Sequence, residues 1–290
     1  MENKYISMIE SCLPTLLPSE DCYEKVVIEA MKYSLLAPGK RIRPTLLLAF
    51  CEACGGDVTA ALPYACAVEM VHSYSLIHDD LPCLDNDDLR RGRPSNHIVY
   101  GEDIALLAGD ALQTLAFESM LGETALEKNG IKGAKAAGIL AAAAGAGGMV
   151  GGQTIDVITE GKSPSLDIVL EMYSKKTGRL LKAPCVMGCV LADADEKRIA
   201  ASKVYAENIG LAFQIVDDIL DITSDTSVLG KPVGSDAENN KVNYVTLLGI
   251  EEAKAKVCDL TQAAVESLDI FDRNTGFLSL LAAELASRIY

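Results

Sequence analysis

Basic residues are scarce in this chain of 290 residues: 26 Lys and Arg stand against 41 Asp and Glu, a formal net charge of −15. That balance excludes a nucleic-acid partner, because counterion release needs Lys and Arg clustered on the face that meets the phosphates. It leaves room for an anionic small molecule, since a local basic patch or bound cations can reverse the field in one cleft. Cysteine chemistry is also wanting. The nine cysteines (12, 22, 51, 54, 66, 83, 185, 189, 258) are odd in number and scattered through helical patterns. Neither the Cys51/Cys54 pair nor the Cys185/Cys189 pair has a second matching pair or a thioredoxin-like strand context, so all nine read as reduced thiols filling the interior. Period-two alternation is nearly absent, which removes a sheet-built fold. No basic leader followed by an apolar run appears at Met1–Ser7, and the longest uncharged stretch, between Ala136 and Asp156, is nearly all Ala and Gly. The expectation is a cytoplasmic protein without membrane insertion.

What is present is helical spacing. Apolar residues recur three and four apart, as in Val26, Val27, Ala30, Met31 and Leu35, or Ile199, Val204, Ile209, Phe213 and Val216, so the class is all-α. Breaks fall at Pro38-Gly39, Gly55 to Asp57, Gly92 to Pro94, Gly130, Gly161 to Pro164, Asp193 to Asp195 and the Ser224 to Asn240 segment. At three to four turns per helix this punctuation predicts about ten helices. No linker forces a split, so residues 1–290 are expected to form a single domain. A fold of this length buries roughly 75% of its unfolded surface, and the 49% hydrophobic content supplies the core.

Two acidic clusters interrupt this apolar background: Asp79-Asp80-Leu-Pro-Cys-Leu-Asp85 and Asp217-Asp218-Ile-Leu-Asp221. Asp217 and Asp221 are four apart and diverge by only about 40° around a helix, so they share one face and can grip one cation. Asp79 and Asp85 are six apart and would point about 120° away from each other on an unbroken helix. Pro82 resolves the mismatch, because it ends or kinks the helix and lets the chain fold Asp85 back toward Asp79. One such cluster is ordinarily a solvated helix face. Two of them offer hard oxygen ligands of the kind magnesium shares with substrate phosphates, which predicts a diphosphate substrate. Cations flank the first cluster: Gly39-Lys40-Arg41-Ile42-Arg43-Pro44 upstream and Arg90-Arg91-Gly92-Arg93 downstream. Arg grips phosphate in bidentate fashion and Lys adds a compact charge, so the mixed set fits two diphosphates. Of three histidines, His72 lies seven residues before Asp79 and within about 20° of it on the helix, so it is the one placed to join the site. His78 and His97 read as structural.

With Lys176-Thr177-Gly178 and Phe213-Gln214 added in order, the chain resembles the short-chain trans-prenyl diphosphate synthases, and among them the bacterial farnesyl diphosphate synthases, from about Tyr33 onward. The resemblance implies the isoprenoid synthase fold, an antiparallel helix bundle around a deep central cavity, with the aspartate motifs facing each other across its mouth and subunits paired as a homodimer. It implies that Lys40, Arg43, His72 and Arg91, beside Gly39, bind isopentenyl diphosphate. Arg90, Lys176, Thr177, Gln214, Lys231 and Lys241 would hold an allylic diphosphate (dimethylallyl or geranyl). Asp79, Asp85 and Asp217 would lead the magnesium ligands, supported by Asp80, Asp218 and Asp221, with about three ions per site and manganese as a substitute. The reaction so implied is ionisation of the allylic C–O bond, attack on the cation by the double bond of isopentenyl diphosphate, and loss of a proton to the departing pyrophosphate.

Chain length is expected to follow from what lies beneath Asp79. Spacing puts Ser75 most directly below, whereas the resemblance points to Tyr74 as an aromatic floor that stops growth at C15. The rival is a C20 geranylgeranyl diphosphate synthase, whose first motif also carries Pro-Cys with this spacing. A class I terpene cyclase would replace the second motif with an Asn/Ser/Glu type. A non-catalytic subunit of a heteromeric synthase would be expected to lose aspartates, and both clusters are intact. A di-iron bundle needs Glu-x-x-His motifs on two helices, a pair this chain lacks. Two departures from the family pattern stand out: Lys241-Val-Asn lacks the usual hydroxyl and proline, and the end carries only Arg288 as a cation.

Overall fold

A computed structural model describes residues 2–223 and 242–288. It is helical throughout, apart from a two-residue ribbon, β1 (Leu89–Arg90) antiparallel to β2 (Arg93–Pro94), with Leu89 opposite Pro94. The helices are α1 (Glu2–Leu16), α2 (Lys25–Leu35), α3 (Ile42–Ala53), α4 (Val58–Asp79), α5 (Asn96–Tyr100), α6 (Glu102–Leu121), α7 (Glu123–Ala144) and α8 (Met149–Thr159). Then come α9 (Leu166–Tyr173), a π-helical turn (Ser174–Gly178), α10 (Arg179–Leu191), α11 (Glu196–Thr223), α12 (Tyr244–Leu248), α13 (Ile250–Glu266) and α14 (Gly276–Ser287).

The described helices outnumber the roughly ten expected from punctuation, because several short elements begin where no breaker run advertised them. The predicted breaks that can be seen are real. Gly130 keeps its place as a kink inside α7, at φ 54°. Gly101 and Gly249, at φ 88° and 89°, start α6 and α13 and were not singled out in the sequence.

α4 is the centre of the bundle. Its N-cap is Asp57, whose carboxylate accepts the Thr59 amide at 2.8 Å. Beyond that cap it is apolar almost all round, the pattern of a helix enclosed on every side, and it packs against α1, α3, α6 and α7. Two stretches, Glu102–Leu121 and Glu123–Thr159, are long and apolar enough to cross a membrane. The first packs along α4, and the second is broken at Gly130 and again between Ala144 and Met149.

The Ala/Gly stretch works by close approach. A Cβ on Gly152 would fall 2.1 Å from the backbone nitrogen of Lys176, so only glycine lets α8 lie against the π-helical turn.

Candidate active site

Asp79 ends α4, and the chain turns there as Pro82 requires. The Leu84 amide bonds to the Leu81 carbonyl at 2.9 Å, and the Asp85 amide returns to the Asp79 carbonyl at 2.9 Å. The fold-back of Asp85 toward Asp79 is therefore present as a backbone hydrogen bond.

Beneath Asp79 lies a cavity of about 470 Å³, within the range of small-ligand sites. Its polar lining includes Arg43, His72, Asp79, Lys176 and Thr177, and α8 contributes Met149, Gln153 and Val157. Both Tyr74 and Ser75 line it, so spacing and resemblance each named a wall residue. Tyr74 is 4% exposed and stacks edge-on with His78 at 5.7 Å, its hydroxyl buried without a partner among the described residues. His78 also lines the cavity and bonds the Leu106 carbonyl at 3.1 Å.

Arg43 donates from Nη1 to His72 Nε2 at 3.3 Å, and its buried Nε has no partner among the described residues. A desolvated guanidinium with an unmet donor is prepared for an anion. Burial, then the charges of Arg43, Arg91, Arg90 and Arg41, hold the His72 imidazole well below its ordinary value, so it is neutral. Arg91, at φ 54°, lies over the backbone of Gly39: a Cβ there would sit 2.7 Å from Arg91 Nη1, which also donates to the Pro38 carbonyl at 3.3 Å. The two basic motifs, some fifty residues apart, thus meet.

Lys176 sits on the π-helical turn, a rare backbone irregularity frequent at functional sites. Its ammonium pairs with Asp156 at 2.5 Å and lies close enough to Asp79 to lower that carboxyl's affinity for a proton. Burial still dominates. Together with the nearby Asp85 and Asp80 charges it pushes Asp79 up to about 6. Burial likewise pushes Asp217 up to about 6, against the charges of Arg288, Lys40 and Arg43. Arg288 is 3.8 Å from Asp217 and beside the Phe213 ring. Arg43 lines the cavity with Asp79, and its charge also acts on Asp217 of the second cluster.

Other expected residues are placed elsewhere. Asp80 is 2% exposed at the C-terminal cap of α4, where Arg90 grips it through Nε at 2.8 Å and also reaches Asp87 at 3.1 Å. Asp218 is 8% exposed and accepts from the Tyr173 hydroxyl at 2.7 Å and the Tyr244 amide at 3.0 Å. The second aspartate of each cluster therefore ties elements together; of their neighbours, Asp79 lines the cavity and Asp217 stands outside its lining. Arg41 is likewise spent on Glu69, at 2.5 Å. Gln214 is half-buried one turn before Asp217, outside the cavity lining, and Asp221 follows on the same face of α11. Lys231 and Lys241 lie outside the described residues. Sequence reasoning missed Asp156 and Gln153. Their signal was a carboxylate closing the longest uncharged run in the chain.

The donor set suits magnesium. Among the described residues no three His, Cys, Asp or Glu side chains converge into a metal cage. Asp79, Asp85, Asp217 and Asp221 are the side chains that would hold magnesium.

A model of the polyprenyl synthetase family matches residues 24–269. The chain belongs to the polyprenyl synthetase family. It is similar to a geranylgeranyl pyrophosphate synthase of Capsicum annuum, named as chloroplastic, at 47% identity over 91% of this chain and 72% of the relative. It is also similar to a geranylgeranyl diphosphate synthase of Cyanophora paradoxa, at 45% over 90% of this chain and 87% of the relative. Among solved structures, an FPP/GFPP synthase from Zymomonas mobilis superposes with a TM-score of 0.88, at 34% identity, covering 99% of this chain and 97% of the other. As a family member the chain has the isoprenoid synthase fold and is a prenyltransferase. The cytoplasmic expectation is overturned: relatives from Arabidopsis thaliana, Capsicum annuum and Catharanthus roseus at 46–47% identity are chloroplastic enzymes.

Proposed function

We propose that this prenyltransferase joins isopentenyl diphosphate to allylic diphosphates and carries the chain to geranylgeranyl diphosphate, C20, acting as one domain in a homodimer. The observation that carries the reading is the joint lining of one cavity by Asp79, Arg43, neutral His72 and Lys176 above apolar walls. The C20 product is supported by relatives at 45–47% identity that are named geranylgeranyl synthases. This replaces the C15 expectation as the first reading.

Lys176 and Thr177 hold the allylic diphosphate over the cavity, while Lys40, Arg43 and Arg91 hold that of isopentenyl diphosphate. His72, being neutral, adds hydrogen bonding without spending a charge on the arginines around it. Magnesium, when bound, supplies positive charge against the departing diphosphate. Apolar walls exclude water from the allylic cation until the double bond of isopentenyl diphosphate attacks it and forms the new C–C bond; the cation so formed then loses a proton to the departed pyrophosphate.

C15 remains the second reading, favoured by the buried ring of Tyr74 in the cavity wall. One assay separates the two: purified protein with magnesium, isopentenyl diphosphate and in turn the C5, C10 and C15 primers, with products sized by chromatography. C20 from every primer supports the proposal. Arrest at C15, with the C15 primer unused, establishes the second reading instead, and no condensation with any primer refutes both.

A further inference from the structure

Far from the cavity, α3 and α10 cross so tightly that a Cβ on Gly188 would fall 2.3 Å from the Leu47 carbonyl oxygen. At this crossing Cys54, half-buried at the end of α3, has its Sγ 3.7 Å from Sγ of Cys189, which is fully buried in α10. We propose that Cys54 and Cys189 are a dithiol site that takes a low-molecular-weight disulfide as its oxidant and closes to an internal disulfide.

The two thiols are unequal in the way such a reaction needs. The hydrogen bond with Cys189 and the charge of Arg198 hold the Cys54 thiol below its ordinary value against its burial, and Arg198 is itself fixed by Asp195 at 2.5 Å and Asp272 at 2.8 Å. A thiolate that solvent can reach is the attacking group in exchange. Cys51, three residues earlier, is pushed up to about 12 by burial and does not compete. Cys54 thiolate attacks oxidised glutathione, forming a mixed disulfide and expelling one glutathione thiolate. Cys189 then attacks the Cys54 sulfur and its proton passes to the second departing thiolate. Two protein thiols are oxidised and one glutathione disulfide is reduced to two thiols. The site lies about 16 Å along α3 from Arg43, so the bond ties helices together without entering the cavity.

The test is to treat the purified full-length chain with oxidised glutathione, block remaining thiols, digest without reduction and map the peptides by mass spectrometry. The expected result is a Cys54–Cys189 cross-link that dithiothreitol removes. In a Cys189→Ser variant, shown to be folded by circular dichroism, Cys54 should instead retain glutathione. The map of the native chain decides on its own if that variant does not fold. Cys54 remaining a free thiol, stopping at the glutathione adduct in the native chain, or pairing with another cysteine overturns the proposal.

Discussion

Lys176 Nζ lies 2.5 Å from Asp156 Oδ2, and the same ammonium acts on Asp79 across the cavity. One flexible cation is thereby held between a carboxylate of α8 and the end of α4. Asp156→Asn keeps the shape of the pair and removes its charge. We expect the KM for the allylic diphosphate to rise and kcat/KM to fall by about tenfold, roughly 1.4 kcal/mol, in steady-state assays. Unchanged kinetics would mean that Lys176 needs no such anchor.

Gly152→Ala addresses the same turn from its backbone. The added methyl would overlap the Lys176 nitrogen at 2.1 Å, so α8 or the π-helical turn must move. A loss of about 1–3 kcal/mol of stability, with a drop in activity larger than the drop in stability accounts for, is expected from parallel thermal melts and rate measurements. A variant with both properties intact would show that the contact is slack.

Asp79 and Asp217 are held at about 6, above the ordinary 3.8. A carboxyl raised on folding binds more protons folded than unfolded between those values, so the metal-free protein loses stability as pH rises through that window. Magnesium with inorganic pyrophosphate should therefore raise the melting temperature more at pH 7.5 than at pH 5.5, and the double variant Asp79→Asn, Asp217→Asn should lose that difference. Equal stabilisation at both pH values in the native chain would contradict the assignment of these two groups.

Much of this was legible in the sequence because helical geometry is local. The 120° arithmetic of the first cluster, with Pro82, anticipated the Asp85 amide returning to Asp79. The pairing of Asp80 with Arg90, of Asp218 with Tyr173, and of Lys176 with Asp156 was not legible. Each joins residues ten to forty-five positions apart, and nothing in the spacing within one helix says which face a neighbour will take. The cysteines hid for the same reason: Cys54 and Cys189 are separated by 135 positions.

Tyr74 and Ser75 both line the cavity, but only Tyr74 places a ring there. Tyr74→Ala should lengthen the products, by a shift of the chromatographic profile toward longer chains with the C15 primer. A profile identical to that of the native protein would remove the ring from control of length.

The account turns on Asp79 and Asp217 acting together on a metal-bound diphosphate. Its most direct test is the rate of condensation in Asp79→Ala and Asp217→Ala, with magnesium and both substrates saturating and folding verified by circular dichroism. Each variant should be slower by about a thousandfold, roughly 4 kcal/mol of lost barrier lowering. Turnover near that of the native protein in either folded variant would contradict it.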